Sequence, residues 1–439
     1  MTATPNGRNR LITGVVAIAA LYSLVHVVVS GIIQPLRSEN IGQVIEELQP
    51  LYRLFTTGSA AVDHPRQYGP VFLFLFHPVY RFTLSRPDLL AWYAYALDLV
   101  AIAVAFVATR RAILFWLASR GLTPSRWLTP ALVFLWANFS PLYGVLAIKN
   151  VELWELALIA VAGAAWLEGR RWVTAWSIAA AALVKMLPLV LIPYLLLRDR
   201  RTFVYALVAL GALLTASQLL YGWQMGWGYL PMIVGAAAGG EGYGNAAGMI
   251  WHENVSIRGA AVKLFGYLET PDPFAMKGYQ VGYYVVVPEH LRATATAVAW
   301  SAQAVAIGWL MLRLIRPMQT IRTTLLYWEW ALVAIMMLML APQISQDYMI
   351  LTLGAFSFVM AGCFAHRRAS WWIAFAIAVL LVGNVVPRGL FGRLVAADRL
   401  AALDGGSHLL VSEAYQYVGF PLLGLIVVLA VWTRVSRTT

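Results

Sequence analysis

Four polar stretches hold most of the side chains that could do chemistry in this otherwise apolar chain. "PLRSENIGQVIEELQPLYRLFTTGSAAVDHPRQYGP" supplies Arg37, Glu39, Asp63, His64 and Tyr68, and "IKNVE" supplies Asn150 and Glu152. "HENVSIRGAAVKLFG" supplies His252, Asn254, Ser256, Arg258 and Lys263, and "APQISQDYMILTL" supplies Ser345, Asp347 and Tyr348. A carboxylate at bilayer depth is costly and is tolerated where it faces water, a partner or a substrate. Carboxylates beside hydroxyl-binding residues suit general-base work, typically worth about 10²–10⁴-fold in rate. Cations suit a different task, the neutralisation of a lipid-linked phosphate as it leaves. Arg258 and His252 are candidates for that role. So is Lys185, which lies in the middle of an apolar run where snorkelling does not explain it. Lys263 reads as a snorkelling surface charge.

Several of these residues admit two readings. Glu39 is either a capping charge before a helix or a general base at the water–lipid boundary. Asp63 beside His64 is either turn chemistry or part of a site. Glu46 and Glu47 read as the solvated face of an amphipathic helix over 41–55, whose other face carries Ile41, Val44, Ile45, Leu48, Leu51, Leu54 and Phe55. Asp98 in "AYALDLVAIAV" is a helix-packing partner or a catalytic group. His252-Glu253 opens like a zinc motif, but no second His follows at four residues. There is no phosphate-binding loop, no G-x-S-x-G and no H-E-x-x-H. The reading is therefore no metal site and no cofactor, with a divalent ion left open.

The elements that must position these groups follow from composition. Of 439 residues, 61% are hydrophobic and 12% charged, which marks an all-α polytopic membrane protein with no soluble domain. The net charge of +12 sits in short clusters between apolar segments, among them Arg110/Arg111, Arg170/Arg171, Arg198–Arg201 and Arg434/Arg437. That is the pattern of cytoplasmic loops and not of a nucleic-acid surface, so no nucleic-acid partner is expected. The single Cys363 excludes an intramolecular disulfide and a thiolate metal site.

Ten full spans are expected, at 11–33, 88–109, 127–147, 151–167, 202–222, 294–315, 323–341, 347–365, 369–387 and 414–433. The chain then forms one integral membrane domain over 1–439, with both termini cytoplasmic. The segment 68–82 is too short to cross. The segment 173–198 has basic clusters at both ends and is interrupted by Lys185, Pro188 and Pro193, so it reads as a re-entrant hairpin with Lys185 near its tip. A first outer loop (34–67), with its interfacial helix, and a long outer loop (223–293) then share the extracytoplasmic face with "IKNVE" and "APQISQD".

With those residues in place, a resemblance emerges. "SIAAAALVKMLPLVLIPYLLLRDRR" resembles the L-K-x-x-P-L-L-L-L-P-Y-L-L-L-R segment of glycosyltransferase family 87, GT-C-type transferases that use polyprenyl-phosphate sugars and include mannosyltransferases. "APQISQDYMILTL" is similar to that family's S-P-x-S-x-D-H segment through Ser345 and Asp347, with Tyr348 where His is common. "ENVSIRGAAVKLFG" is similar to N-x-S-x-x-G-x-x-x-R-L through Asn254, Ser256 and Gly259. Lys149-Asn150-Val151-Glu152 stands where Gly-Gln-x-Asn is expected, and "QYGPV" (67–71) replaces Tyr-Pro-Pro. The family's catalytic Asp lies in the first outer loop, where this chain offers Glu39 or Asp63.

The resemblance implies a GT-C-like fold and one mechanism. A loop carboxylate, Glu39 or Asp63, deprotonates the hydroxyl of a lipid or glycan acceptor, which attacks the anomeric carbon of a hexose such as mannose. The lipid phosphate leaves, held by Lys185 with Arg258 and His252, and the centre inverts. Asn150, Glu152, Asn254, Ser256, Ser345, Asp347, Tyr348, His64 and Tyr68 would line the sugar and acceptor pocket. The substrates imply membrane lipid as the surroundings. A lipid-linked sugar flippase or transporter is the alternative, since broken helices also serve transport. A polymerase or ligase would carry a similar outer loop.

Overall fold

The computed structural model describes residues 5–37, 69–83, 86–231, 249–251, 254–269, 284–314, 322–341, 344–366, 368–383 and 419–438. Long apolar runs with few breakers make helix the dominant element, because a helix satisfies its own backbone where water is absent. α1 (Pro5–His26) continues through a π-helical turn (Val27–Ile33) and a short 3₁₀ turn (Gln34–Leu36). α2 (Pro70–Thr83) has 14 residues with Pro78 inside it, about 21 Å at the usual rise, too short to span as expected.

Two expected boundaries move. α3 (Pro87–Ser119) does not end at 109 but runs on through Arg110 and Arg111 for 33 residues. Nothing in "RRAILFWLAS" breaks a helix before Gly121, which takes a left-handed φ of 65°. The expected span 127–147 is instead two helices, α4 (Leu128–Ala137) and α5 (Ser140–Ile148), bent by 50°. The Asn138 amide at the joint donates to Phe134 O and to Ser23 Oγ, both at 2.8 Å, and Pro141 opens the second helix. A side chain that competes for backbone acceptors next to a proline is where a helix yields.

α6 (Glu152–Leu167) and α7 (Arg171–Val184) pack antiparallel, joined by a tight turn. α7 stops at Lys185, which is extended at φ −151° and ψ 147°. Pro188 has no N–H to offer the Val184 carbonyl one turn back, so the helix cannot continue there. A 3₁₀ turn (Leu187–Val190) leads into α8 (Leu191–Arg198), and α9 (Arg200–Tyr221) returns along α7. The segment therefore breaks at Lys185, as the sequence suggested.

The described part of the long loop departs from an all-α expectation. Its strands β1 (Met249–Trp251), β2 (Tyr267–Glu269) and β3 (Tyr284–Val286) form an antiparallel sheet in the order β1-β3-β2, with α10 (Ile257–Lys263) between the first two. α11 (Glu289–Leu314), α12 (Arg322–Leu340), a 3₁₀ segment (Gln346–Thr352), α13 (Leu353–His366), α14 (Ala369–Val382) and α15 (Phe420–Thr438) complete the chain. Among the described residues, five helices are long and apolar enough to cross a membrane, six if α4 and α5 count as one. The core gathers where α6, α12 and α13 meet, around Leu332, Ile335 and Phe356, all at 0% exposure. α1 and α9 turn apolar side chains such as Ile18 and Leu219 outward, as lipid-facing helices do.

One end of this bundle is ionic. Arg111 and Arg170 pair with Glu168, and Arg171 pairs with Asp199 at 3.0 Å, drawing three basic clusters together. Burial pushes the Asp199 carboxyl up, but its bonds from Arg171 and Thr202 outweigh that and hold it below the usual carboxylate range. Nearby, Arg198 grips Glu329 through two 2.7 Å bonds, and Tyr194 donates to the same carboxylate at 3.1 Å. This contact ties α8 to α12. Arg198→Ala should lower stability by about 3–5 kcal/mol, since it strands a buried carboxylate, while Arg198→Met with Glu329→Leu should cost far less. Thermal unfolding in detergent of the single and double variants checks this. A single variant no worse than the pair would remove the lock.

Candidate functional site

The other end of the bundle holds the polar residues. α6 begins there and α7 ends there, so Glu152 and Lys185 are brought face to face across the antiparallel pair. Lys185 Nζ lies 2.5 Å from Glu152 Oε1 and 4.4 Å from the centre of the Tyr348 ring. Lys185 is 6% exposed and Glu152 is 0% exposed. A lone charge in such a place would be expensive, and the opposite charge together with the ring face compensates it.

The break that frees Lys185 also creates an orphan carbonyl at Val184. Gly69 fills that need: its N–H donates to Val184 O at 2.8 Å. Any side chain at position 69 would collide, because a Cβ there would sit 2.0 Å from Leu183 O and 3.0 Å from the Tyr229 hydroxyl. The Tyr229 hydroxyl is buried and accepts or donates no hydrogen bond. In the family segment this chain resembles, proline is expected at this place. A proline could not have donated to Val184.

The "IKNVE" turn is built on a strained residue. Lys149 ends α5 in the left-handed region at φ 55°, and among described residues it is the one non-glycine there. Glycine is expected at this position from the family pattern, and glycine would adopt the conformation freely. The lysine compensates with its ammonium, which donates to Pro35 O at 2.7 Å and Ala147 O at 3.1 Å. Burial pushes that ammonium down to about 8, with the Asp98 carboxyl opposing the shift. Asp98 itself accepts from Trp154 Nε1 at 2.9 Å, which favours the helix-packing reading of this residue.

The remaining two stretches are bonded to each other. Val255 donates to Ile344 O at 2.9 Å, and Ile344 donates to Asn254 Oδ1 at 3.3 Å. Asn254 Oδ1 also accepts from Ser256 N, and Ser256 Oγ caps α10 by accepting from Gly259 N, both at 3.0 Å. The N-x-S-x-x-G pattern thus builds a helix start and pins it to "APQISQD". Asp347 leans on α5, its Oδ1 about where a side chain at Gly144 would meet it at 3.0 Å.

The structure therefore brings Asn150, Glu152, Lys185, Asn254, Ser256, Ser345, Asp347 and Tyr348 to one end of the bundle. Arg258 is half-buried on α10, and Lys263 is buried instead of snorkelling at the surface. Glu39, Asp63, His64, Tyr68 and His252 lie outside the described residues. Sequence reasoning missed Glu155, Tyr229 and Gly69. Glu155 had a signal, since "ELWEL" repeats an acid at helical spacing in an apolar helix. Tyr229 lies early in the long loop, where no periodicity points to it.

A family model described as glycosyltransferase family 87 matches residues 67–287, half of the chain. No curated protein matches it. The match covers Gly69, Lys149, Glu152, Lys185 and Asn254, and stops short of Asp347. Gly69→Ala should force the Leu183–Lys185 backbone aside, lowering stability by about 1–3 kcal/mol and disabling the site. Unfolding and activity measured together check this, and a fully stable, active Gly69→Ala would contradict the packing described.

Proposed function

The chain belongs to glycosyltransferase family 87 and is a multi-pass membrane glycosyltransferase, and from that premise we propose that it moves a hexose, such as mannose, from a polyprenyl-phosphate donor to a lipid or glycan acceptor. The observation that carries this reading is Lys185, a buried cation held at a helix break against Glu152 and the ring of Tyr348, which come from two of the polar stretches. A cation at such a place suits a leaving phosphate better than it suits a neutral sugar. In this reading Lys185 exchanges Glu152 for the donor phosphate, Arg258 adds a second charge from α10, and His252 is assigned to the same role.

The acceptor hydroxyl is deprotonated by a first-loop carboxylate, Glu39 or Asp63. Its oxygen bonds to the anomeric carbon as the carbon–phosphate oxygen bond breaks, inverting the centre. Asp347, Asn150 and Tyr348, with Ser345, His64 and Tyr68, orient the sugars. No cofactor enters this scheme. The positive clusters at the Arg111–Glu168 end support a reading in which that end is cytoplasmic and the Lys185 end extracytoplasmic, with ten spans and 173–198 entering and leaving from the inner face.

Membranes holding the protein and a radiolabelled polyprenyl-phosphate mannose should transfer label to lipid or glycan. Lys185→Ala should cost roughly 10²-fold or more. Of Glu39→Gln and Asp63→Asn, the one that removes the base should cost about 10²–10⁴-fold. Full activity in all three variants would refute the site. Uptake of the lipid-linked sugar without a new glycosidic bond would favour transport.

A further inference from the structure

α6 carries a second acid that the scheme above leaves unused. Glu155 lies three residues beyond Glu152, so the two side chains share a face of the helix. Both are 0% exposed. The Glu155 carboxyl has neither oxygen in a hydrogen bond, and Glu152 Oε2 has none either. The groups that face Glu155 are Lys185 from the helix break, Glu152 from its own helix and Tyr229 from the segment after α9, with Tyr348 next to Lys185 and Tyr229. Two further ionisable groups stand beside α6 and are engaged elsewhere: Lys149 on Pro35 and Ala147, and Asp98 on Trp154.

The charges at this place do not balance if every group is ionised. Lys185 lies 2.5 Å from Glu152, and no second cation faces Glu155 among the described residues. An ionised carboxylate buried without a donor is far costlier than a neutral one. Surplus negative charge would also oppose the arrival of a phosphate.

We infer that Glu155 is a neutral carboxylic acid whose retained proton lets the Lys185 site accept an anionic phosphate. Glu155 touches no substrate; it is a positioning residue that acts through the charge available at Lys185. With its proton on, Glu152 and Lys185 sum to zero, and the lysine can be taken over by one arriving anion. With the proton lost, two carboxylates compete for the one lysine and the anion is held off. This inference rests on the reading of Lys185 as the donor-phosphate group.

The test uses the full-length protein in detergent and a short-chain prenyl phosphate as the probe. Infrared spectra should show a protonated-carboxyl C=O band in the wild type that disappears in Glu155→Gln. Affinity for the probe should fall at alkaline pH in the wild type. In Glu155→Gln it should stay within about twofold of the wild-type acid-side value across the range, whereas Lys185→Ala should lose about tenfold or more at all pH values. Glu155→Met gives the same neutral readout should the amide fail to fold. A missing band, or a Glu155→Gln variant that keeps the wild-type pH course, overturns the role of Glu155 while the donor reading stands. Unchanged probe affinity in Lys185→Ala overturns the donor reading and this inference with it.

Discussion

A lysine buried among helices must be given a partner, and in this protein that requirement shapes everything near the polar end of the bundle. Lys185 meets Glu152 at 2.5 Å, and both side chains are almost wholly removed from solvent. The pair exists because the α6–α7 turn is tight, so the start of one helix lies beside the end of the next. The lysine is presented at all because Pro188 ends α7 early. That ending leaves the Val184 carbonyl in need of a donor, and Gly69 supplies it. One break in one helix thus recruits the end of the first loop, the start of α6 and the ring of Tyr348.

The bundle is polarised along its length, and each end uses charge differently. At the arginine-rich end, ion pairs such as Arg171–Asp199 are partly exposed and clip consecutive elements together, each contributing little by itself. Arg198–Glu329 is the exception, being buried and bidentate, and it joins elements distant in sequence. At the opposite end Lys185, Glu152 and Glu155 are buried. There a change of partner at Lys185 alters the electrostatics of the whole site, since low polarity magnifies each interaction. The buried lock between distant elements lies at one end, and the unbonded carboxylate oxygens of Glu152 and Glu155 lie at the other.

Much of this was legible in the chain before any coordinates. Apolar run lengths and basic clusters marked a polytopic membrane protein, and Lys185 with its flanking prolines marked the helix break. The grouping of "IKNVE", "HENVSIRG" and "APQISQD" at one end also followed from counting spans. Other features were hidden for physical reasons. The bend at Asn138 depends on an amide reaching Ser23, 115 residues away in sequence, and no local pattern reports such a contact. The three short strands of the long loop have three residues each, too few to show alternation. The role of Asn254 and Ser256 was misplaced in emphasis: residue types that could bind sugar are here bonded to the backbone, and the pattern specifies a cap and a loop contact.

The departures from the family pattern gain sense when taken together. Lys149 stands for a glycine, Glu152 for an asparagine and Gly69 for a proline, and each alone looks like a defect. In the structure they border one another through Lys185 and Asp98. Glu152 in place of a neutral amide gives Lys185 a counter-ion. Gly69 in place of proline gives the broken helix its missing donor, at a point where no Cβ would fit. Lys149, strained at φ 55°, anchors the same turn to Pro35 and offers Asp98 a positive charge nearby. Restoring the family residue at two of these places would leave a group unmatched: an asparagine at 152 strands the lysine, and a proline at 69 strands the Val184 carbonyl. The three differences therefore act as a single rearrangement of charge and backbone around one cation, and the chemistry of this site has to be read from that cation outward.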